Sequence, residues 1–112
     1  MSQMMVTITG EGLGRGDDEL GRRLMIKFVG QLATQPHKPH AVAFYNAGVR
    51  LLVKASPVLD ALQALEREGV DLIACGTCVE HFGIREDLAA GRISDMREIV
   101  AMMLASGTVI TA

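Results

Sequence analysis

Residues 70–83 read V-D-L-I-A-C-G-T-C-V-E-H-F-G. The apolar run Val70, Leu72, Ile73, Ala74 opens on a β-branched residue and has the pattern of a buried strand of a parallel sheet, ending at Cys75. Gly76-Thr77 then turns the chain towards Cys78, so the only two cysteines of the sequence meet at one strand end. In open α/β sheets, ligands and reactive groups gather at that carboxyl edge. A helix begun by residues 78–82 places Cys78 where unpaired backbone N–H groups and the positive helix end favour a thiolate.

Outward from this stretch the same alternation recurs. On the upstream side, Ser56-Pro57 is a helix-start pair, with Ser at the N-cap and Pro at N1, and Val58, Ala61, Leu62 and Leu65 mark the buried stripe up to a C-cap at Gly69. Before it, Ala41–Tyr45 is a wholly apolar strand, expected at the centre of the sheet, and Asn46-Ala47-Gly48 ends it in a turn facing the same edge as the cysteines. Val49–Lys54 is apolar but interrupted by charge. It fits either a segment packed over the core or a patch used by another subunit. Met4–Thr9 is the first strand. Gly10–Gly16 matches neither G-x-G-x-x-G nor a P-loop and runs into Asp17-Asp18-Glu19, so a turn ending in a capped helix is expected rather than a phosphate site. That helix carries the stripe Leu20, Leu24, Met25, Phe28, Val29, Leu32 and stops near Thr34. Downstream, residues 84–91 read as one or two helical turns closed by Gly91, and a short extra strand fits Arg92–Ser94. Ser94 or Asp95 caps a last helix with the stripe Met96, Ile99, Val100, Met103, Leu104, and Thr108–Thr111 is the final strand.

Strands alternating with helices predict an α/β fold: a three-layer, doubly wound, mostly parallel sheet of four to five strands with flavodoxin-like topology. At 112 residues the chain is expected to form a single domain over 1–112. Half of it is apolar, and 11 basic against 13 acidic residues give a net charge of −2, which excludes disorder and argues against nucleic acid or an anionic membrane as partner. The scattered aromatics Phe28, Phe44, Tyr45 and Phe82 form no base-stacking platform. The N-terminus has no basic n-region, and no apolar run reaches the ~20 residues of a membrane span, so the expected location is cytoplasmic. Thiols stay reduced there, and a close cysteine pair points to chemistry rather than to a staple.

Cys75, at the end of an apolar strand, reads as core; Cys78, in a polar context past the turn, is the candidate nucleophile. The C-x-x-C spacing admits three functional readings. A thioredoxin-like pair would follow the first strand of its fold, not the third. A structural zinc site needs two more ligands, of which His81 could supply one. The third is a thiol that carries sulphur or another group as a covalent adduct. His81, three residues on from Cys78, shares its helix face and is the nearest candidate acid/base, set against the plain reading of a solvent-facing histidine. Glu80 would oppose thiolate formation if it lay close. His37 and His40, in Q-P-H-K-P-H, read as an exposed loop. The seven methionines read as core filler, and neither a metal nor a cofactor is expected.

Four strings, G-D-D-E-L-G-R-R-L-M (16–25), F-Y-N-A-G-V-R-L-L (44–52), C-G-T-C-V-E-H-F-G-I (75–84) and G-R-I-S-D-M-R-E-I-V (91–100), together resemble the DsrE-like domain of YedF-type proteins, which are sulphurtransferase-like and linked to selenium metabolism. The resemblance covers nearly the whole chain, in order. It implies a DsrE-like α/β fold, a homo-oligomer, and a persulfide accepted on a cysteine after the third strand, here Cys78. Cys75 belongs to the same C-G-T-C signature, with Gly76 and Thr77 between the two, and Asn46 and Gly48 match the N-A-G motif expected to line the pocket. Relatives of this type often carry an N-terminal sulphur-carrier domain with a Cys-Pro-x-Pro motif. This sequence has no such motif, so either a separate sulphur-carrier protein is the partner, as donor or acceptor, or the chain is a free-standing variant. The expected function is a sulphur relay, and the protein a candidate sulphurtransferase. The alternative is a non-catalytic oligomeric binding module whose cysteines bind metal or sense redox state.

Overall fold

Along the central strands, Val6, Ile8, Val42 and Phe44 turn to one face of the sheet, while Met5, Ala41, Ala43 and Ile73 turn to the other, and both sets are buried. Burial on both faces is what a parallel sheet with helices on each side requires. In the computed structural model, which describes residues 3–112, the elements are β1 (Met4–Ile8), α1 (Asp18–Thr34), β2 (Ala41–Phe44), α2 (Leu59–Arg67), β3 (Asp71–Cys75), α3 (Gly76–Phe82), β4 (Arg92–Ser94), α4 (Met96–Ala105) and β5 (Thr108–Thr111). Two 3₁₀ segments, Asn46–Leu52 and Arg85–Asp87, complete them.

The five strands are parallel in the order β4-β3-β2-β1-β5. From β1 to β4 the chain adds strands in one direction, then returns across the sheet to place β5 beside β1, which puts α4 on the opposite face from α1 and α2. The result is the expected doubly wound, three-layer α/β fold. β2, whose four residues are all buried, is its middle strand, and the short strand at Arg92–Ser94 is present as an edge.

Some expected details change. Asp17 caps α1, accepting from the Leu20 N–H at 2.8 Å, but the helix buries Gly21, Met25 and Val29 and leaves Leu20 and Leu24 exposed. The cause is the glycine loop: Leu13 N–H donates to Gly21 C=O at 2.9 Å, and Gly12 and Gly21 touch, so the side without side chains is turned inwards. Ser56 does not cap α2 directly. It accepts from Val58 N–H at 3.2 Å, and the helix starts at Leu59. The region after Gly83 makes only one 3₁₀ turn. In α4, capped by Asp95 through Glu98 N–H, only Ile99 is fully buried; Met96 and Val100 are 43% exposed and Leu104 84%. Finally, Val49, Leu51 and Leu52 are core residues of the long 3₁₀ segment, so that stretch is not a patch for another subunit.

Candidate functional site at the carboxyl edge

Three strand ends converge on Cys78. β2 ends into Tyr45 and Asn46, β3 ends at Cys75 with α3 following without a linker, and β4 ends into Asp95 and Met96. Tyr45, Asn46, Thr77, Cys78, His81, Phe82 and Met96 line an open pocket of about 320 Å³. This is the carboxyl edge, as the strand reading of 70–75 required, although the pocket sits over β2, β3 and β4 rather than where the chain reverses between β1 and β5.

Each glycine of the two motifs has a steric reason. A Cβ on Gly48 would lie 2.1 Å from the Ile8 carbonyl oxygen, so only glycine lets the 3₁₀ segment close onto the end of β1. Tyr45 N–H donates to the same oxygen at 3.2 Å and Gly48 N–H to Tyr45 C=O at 3.1 Å, which pins the turn. A Cβ on Gly76 would lie 2.9 Å from Ser94 C=O, so only a bare Cα lets α3 leave β3 against β4. Between Tyr45 and Gly48, Asn46 adopts a left-handed backbone, φ 52°, a conformation asparagine tolerates better than most residues. Its N–H consequently points at Cys78 and donates to Sγ at 3.1 Å.

Cys75 and Cys78 are both free thiols, the first 3% exposed and the second half-buried. Cys75 is the N-cap residue of α3 and Cys78 its third helical residue. The side chain of Cys75 enters the cluster under α4, and Cys78 packs against that cluster and against the core on the other face. Burial pushes the Cys78 thiol up; the Asn46 N–H pulls it down, and the Cys75 thiol, by hydrogen bonding and charge, pushes it up again. Burial outweighs the single N–H. The net shift is upward, opposite to what a helix start alone would give. The reactive form is therefore a minority species held in a shaped, partly apolar pocket.

His81 shares the pocket with Cys78, as their spacing on one helix face implied, and is exposed; its ring meets Phe82 edge-on, with centroids 5.1 Å apart. Glu80 turns away to Arg85 at 3.6 Å and does not oppose the thiolate. Thr77 lies at the rim. Among the described residues, no three His, Cys, Asp or Glu side chains come together as a metal-binding group. The N-A-G turn and the C-G-T-C run, far apart in sequence, are thus brought into contact. The reading of residues missed Tyr45, Phe82 and Met96 as pocket walls. Phe82 was within reach, four residues from Cys78 on the same helix face, whereas Met96 depends on how β4 delivers α4. That delivery is fixed by Arg92, which donates to Asp71 of β3 at 2.9 Å and to Glu98 of α4 at 2.8 and 2.9 Å, while Ser94 also donates to Glu98.

Comparison with known proteins bears on the family and the fold. The model of the DsrE/DsrF-like family matches residues 17–112. Three solved structures share the fold: the ychN protein from E. coli (17% identity, TM-score 0.70, all of both chains), MTH1491 from Methanobacterium thermoautotrophicum, a protein of unknown function (24%, 0.72, all of both chains), and BT1422 from Bacteroides thetaiotaomicron (16%, 0.63, 96% of this chain and 94% of that one). No curated protein matches the chain. No helix among the described residues is long and apolar enough to cross a membrane.

Proposed function

The chain belongs to the DsrE/DsrF-like family, and from that premise we propose that it is a sulphur-relay protein that carries a persulfide on Cys78 and hands the outer sulphur to a partner. The observation that carries this reading is the Cys78 sulphur itself, half-buried at a strand end, taking one backbone N–H and facing an open pocket. In loading, the Cys78 thiolate attacks the outer sulphur of a donor persulfide and the donor leaves as its thiolate. Unloading is the same exchange in the other direction, with an acceptor thiolate attacking. Nothing in it needs an external oxidant. His81, which lines the same pocket, takes the role of moving the proton of the Cys78 thiol. Donor and acceptor are sulphur-carrier proteins, and the four matching strings support a finer kinship with YedF-type, selenium-linked proteins.

Cys75 takes the resolving role. Buried beneath Cys78, it is shielded from outside thiols but can attack the Cys78 sulphur of a loaded protein, forming a Cys75–Cys78 disulfide and releasing sulphide. The working form is a homo-oligomer: the exposed apolar residues Met96, Val100 and Leu104 of α4 and Val109 and Ile110 of β5 support this.

The test is loading with a small-molecule persulfide donor followed by intact-mass measurement. Wild type gains sulphur, Cys78→Ser does not, and Cys75→Ser loads but holds the adduct longer. Loading lost in Cys75→Ser and kept in Cys78→Ser reverses the two roles. If neither substitution matters, the relay reading fails and a metal-binding or redox-sensing module takes its place, which a bound-metal assay then examines.

A further inference from the structure

The donor to Cys78 comes from the strained residue of the N-A-G turn. Asn46 holds φ 52°, a conformation that costs a non-glycine residue energy and that persists only when its surroundings enforce it. The enforcement is visible. Tyr45 N–H is tied to Ile8 C=O, and Gly48 is seated against the same carbonyl with no room for a Cβ. The Asn46 side chain is exposed and is not needed for this bond; the backbone N–H makes it. We propose that Asn46 is a positioning residue whose N–H stabilises the Cys78 sulphur as the leaving group when the outer sulphur is handed on.

The inference rests on the relay reading and adds to it the group that carries the charge on Sγ. When an acceptor thiolate attacks the outer sulphur of the Cys78 persulfide, a bond forms between acceptor and outer sulphur and the Sγ–S bond breaks. The outer sulphur keeps its proton, and the electron pair of the broken bond stays on Cys78 Sγ. Sγ is the atom that accepts from the Asn46 N–H, at 3.1 Å. A better-stabilised leaving thiolate departs faster. In loading, the same hydrogen bond raises the thiolate fraction by more than it lowers nucleophilicity, because the thiolate is the minority form, so loading gains as well. The donor therefore speeds both directions of the exchange, through the charge that develops on Sγ. The other titratable groups about Cys78 are Tyr45 after β2, Cys75 of β3 and His81 of α3; Arg50 lies over the Phe82 ring, 5.2 Å from its centroid, and is paired with Glu11, while α4 contributes only uncharged Met96 to the pocket.

Two substitutions separate backbone from side chain. Asn46→Val, β-branched and averse to positive φ, should swing the N–H away, lower the iodoacetamide reactivity of Cys78 at neutral pH roughly threefold, and slow single-turnover loading and unloading to a small thiol by a similar factor. Asn46→Gly, free to adopt φ 52°, should keep the Cys78 titration midpoint of wild type. In wild type, the Asn46 amide resonance should shift with pH at the midpoint of Cys78 and cease to do so in Cys78→Ser. This measurement stands even if Asn46→Val does not fold. Equal losses in the Val and Gly variants, or an amide that ignores Cys78 ionisation, overturn the proposal. Wild type that never loads sulphur fails the relay reading instead, and leaves the amide titration to judge the hydrogen bond separately.

Discussion

Gly48→Ala is the sharpest test of how the site is built. The new Cβ would sit 2.1 Å from the Ile8 oxygen, 2.8 Å from Ile8 carbon and 3.3 Å from Gly10 nitrogen. All three are backbone atoms, so no side-chain rotation relieves the clash, and the turn must retreat by roughly 1 Å to reach van der Waals contact. That retreat overpacks a buried position, at about 1–3 kcal/mol, and breaks the Tyr45–Ile8 hydrogen bond, worth about 1 kcal/mol net, for a total of about 2–4 kcal/mol. In a domain of this size about 1 kcal/mol moves the midpoint by ~4 °C, so the variant should melt about 8–16 °C below wild type. The chain has no tryptophan, and far-UV circular dichroism is the suitable probe for melts and urea titrations. The denaturant midpoint should fall without a change in slope. Because the turn carries the Asn46 N–H, Cys78 alkylation at neutral pH should fall as well. A melt within about 2 °C of wild type would refute the argument that this close approach holds the turn.

Gly30→Ala is the opposite case: inside α1, with nothing within 4 Å of the added Cβ and no positive φ, it should stabilise by about 0.5–1 kcal/mol in the same urea titration. Glu98 is held down to about 2, first by Arg92 and then by Ser94. A carboxylate depressed on folding lends stability above its ordinary value of 4.5 and loses it as pH falls through about 2, so the midpoint gap between wild type and Glu98→Gln should be constant above 4.5 and close over that window. Val100→Glu with Leu104→Glu should turn a multimer into a monomer by light scattering at nearly unchanged stability, and a monomeric wild type at high concentration would remove the self-association proposal.

The fold was legible because its strands are locally self-consistent. Ala41–Phe44 and the run from Leu72 to Cys75 are apolar, and Asp17 and Asp95 are side-chain caps that need no tertiary partner. What failed lay in the contacts between elements. The face α1 buries is set by Gly12 and Leu13 against Gly21, and no periodicity of α1 alone contains that. Val49–Leu52 looked ambiguous because its burial comes from the seating of Gly48 on Ile8, far upstream in the chain. At the site, the C-G-T-C run announced itself by spacing, and Asn46 came from the family-like motif. Its role as donor to Cys78 depends on a positive φ that no sequence pattern displays.

The strand order also bears on synthesis. From β1 through β4, each strand emerging from the ribosome finds its neighbour already made, so the sheet can grow vectorially, one hairpin-free crossover at a time. β5 breaks the sequence: it must close on β1 across a separation of 104 residues, as the Thr7–Thr111 hydroxyl pair records. Until it does, the far side of β1 is an open template for any passing strand, and the slowest native contact is also the one that seals it. Nascent chains stalled before Thr108 should thus be the ones that chaperones hold longest.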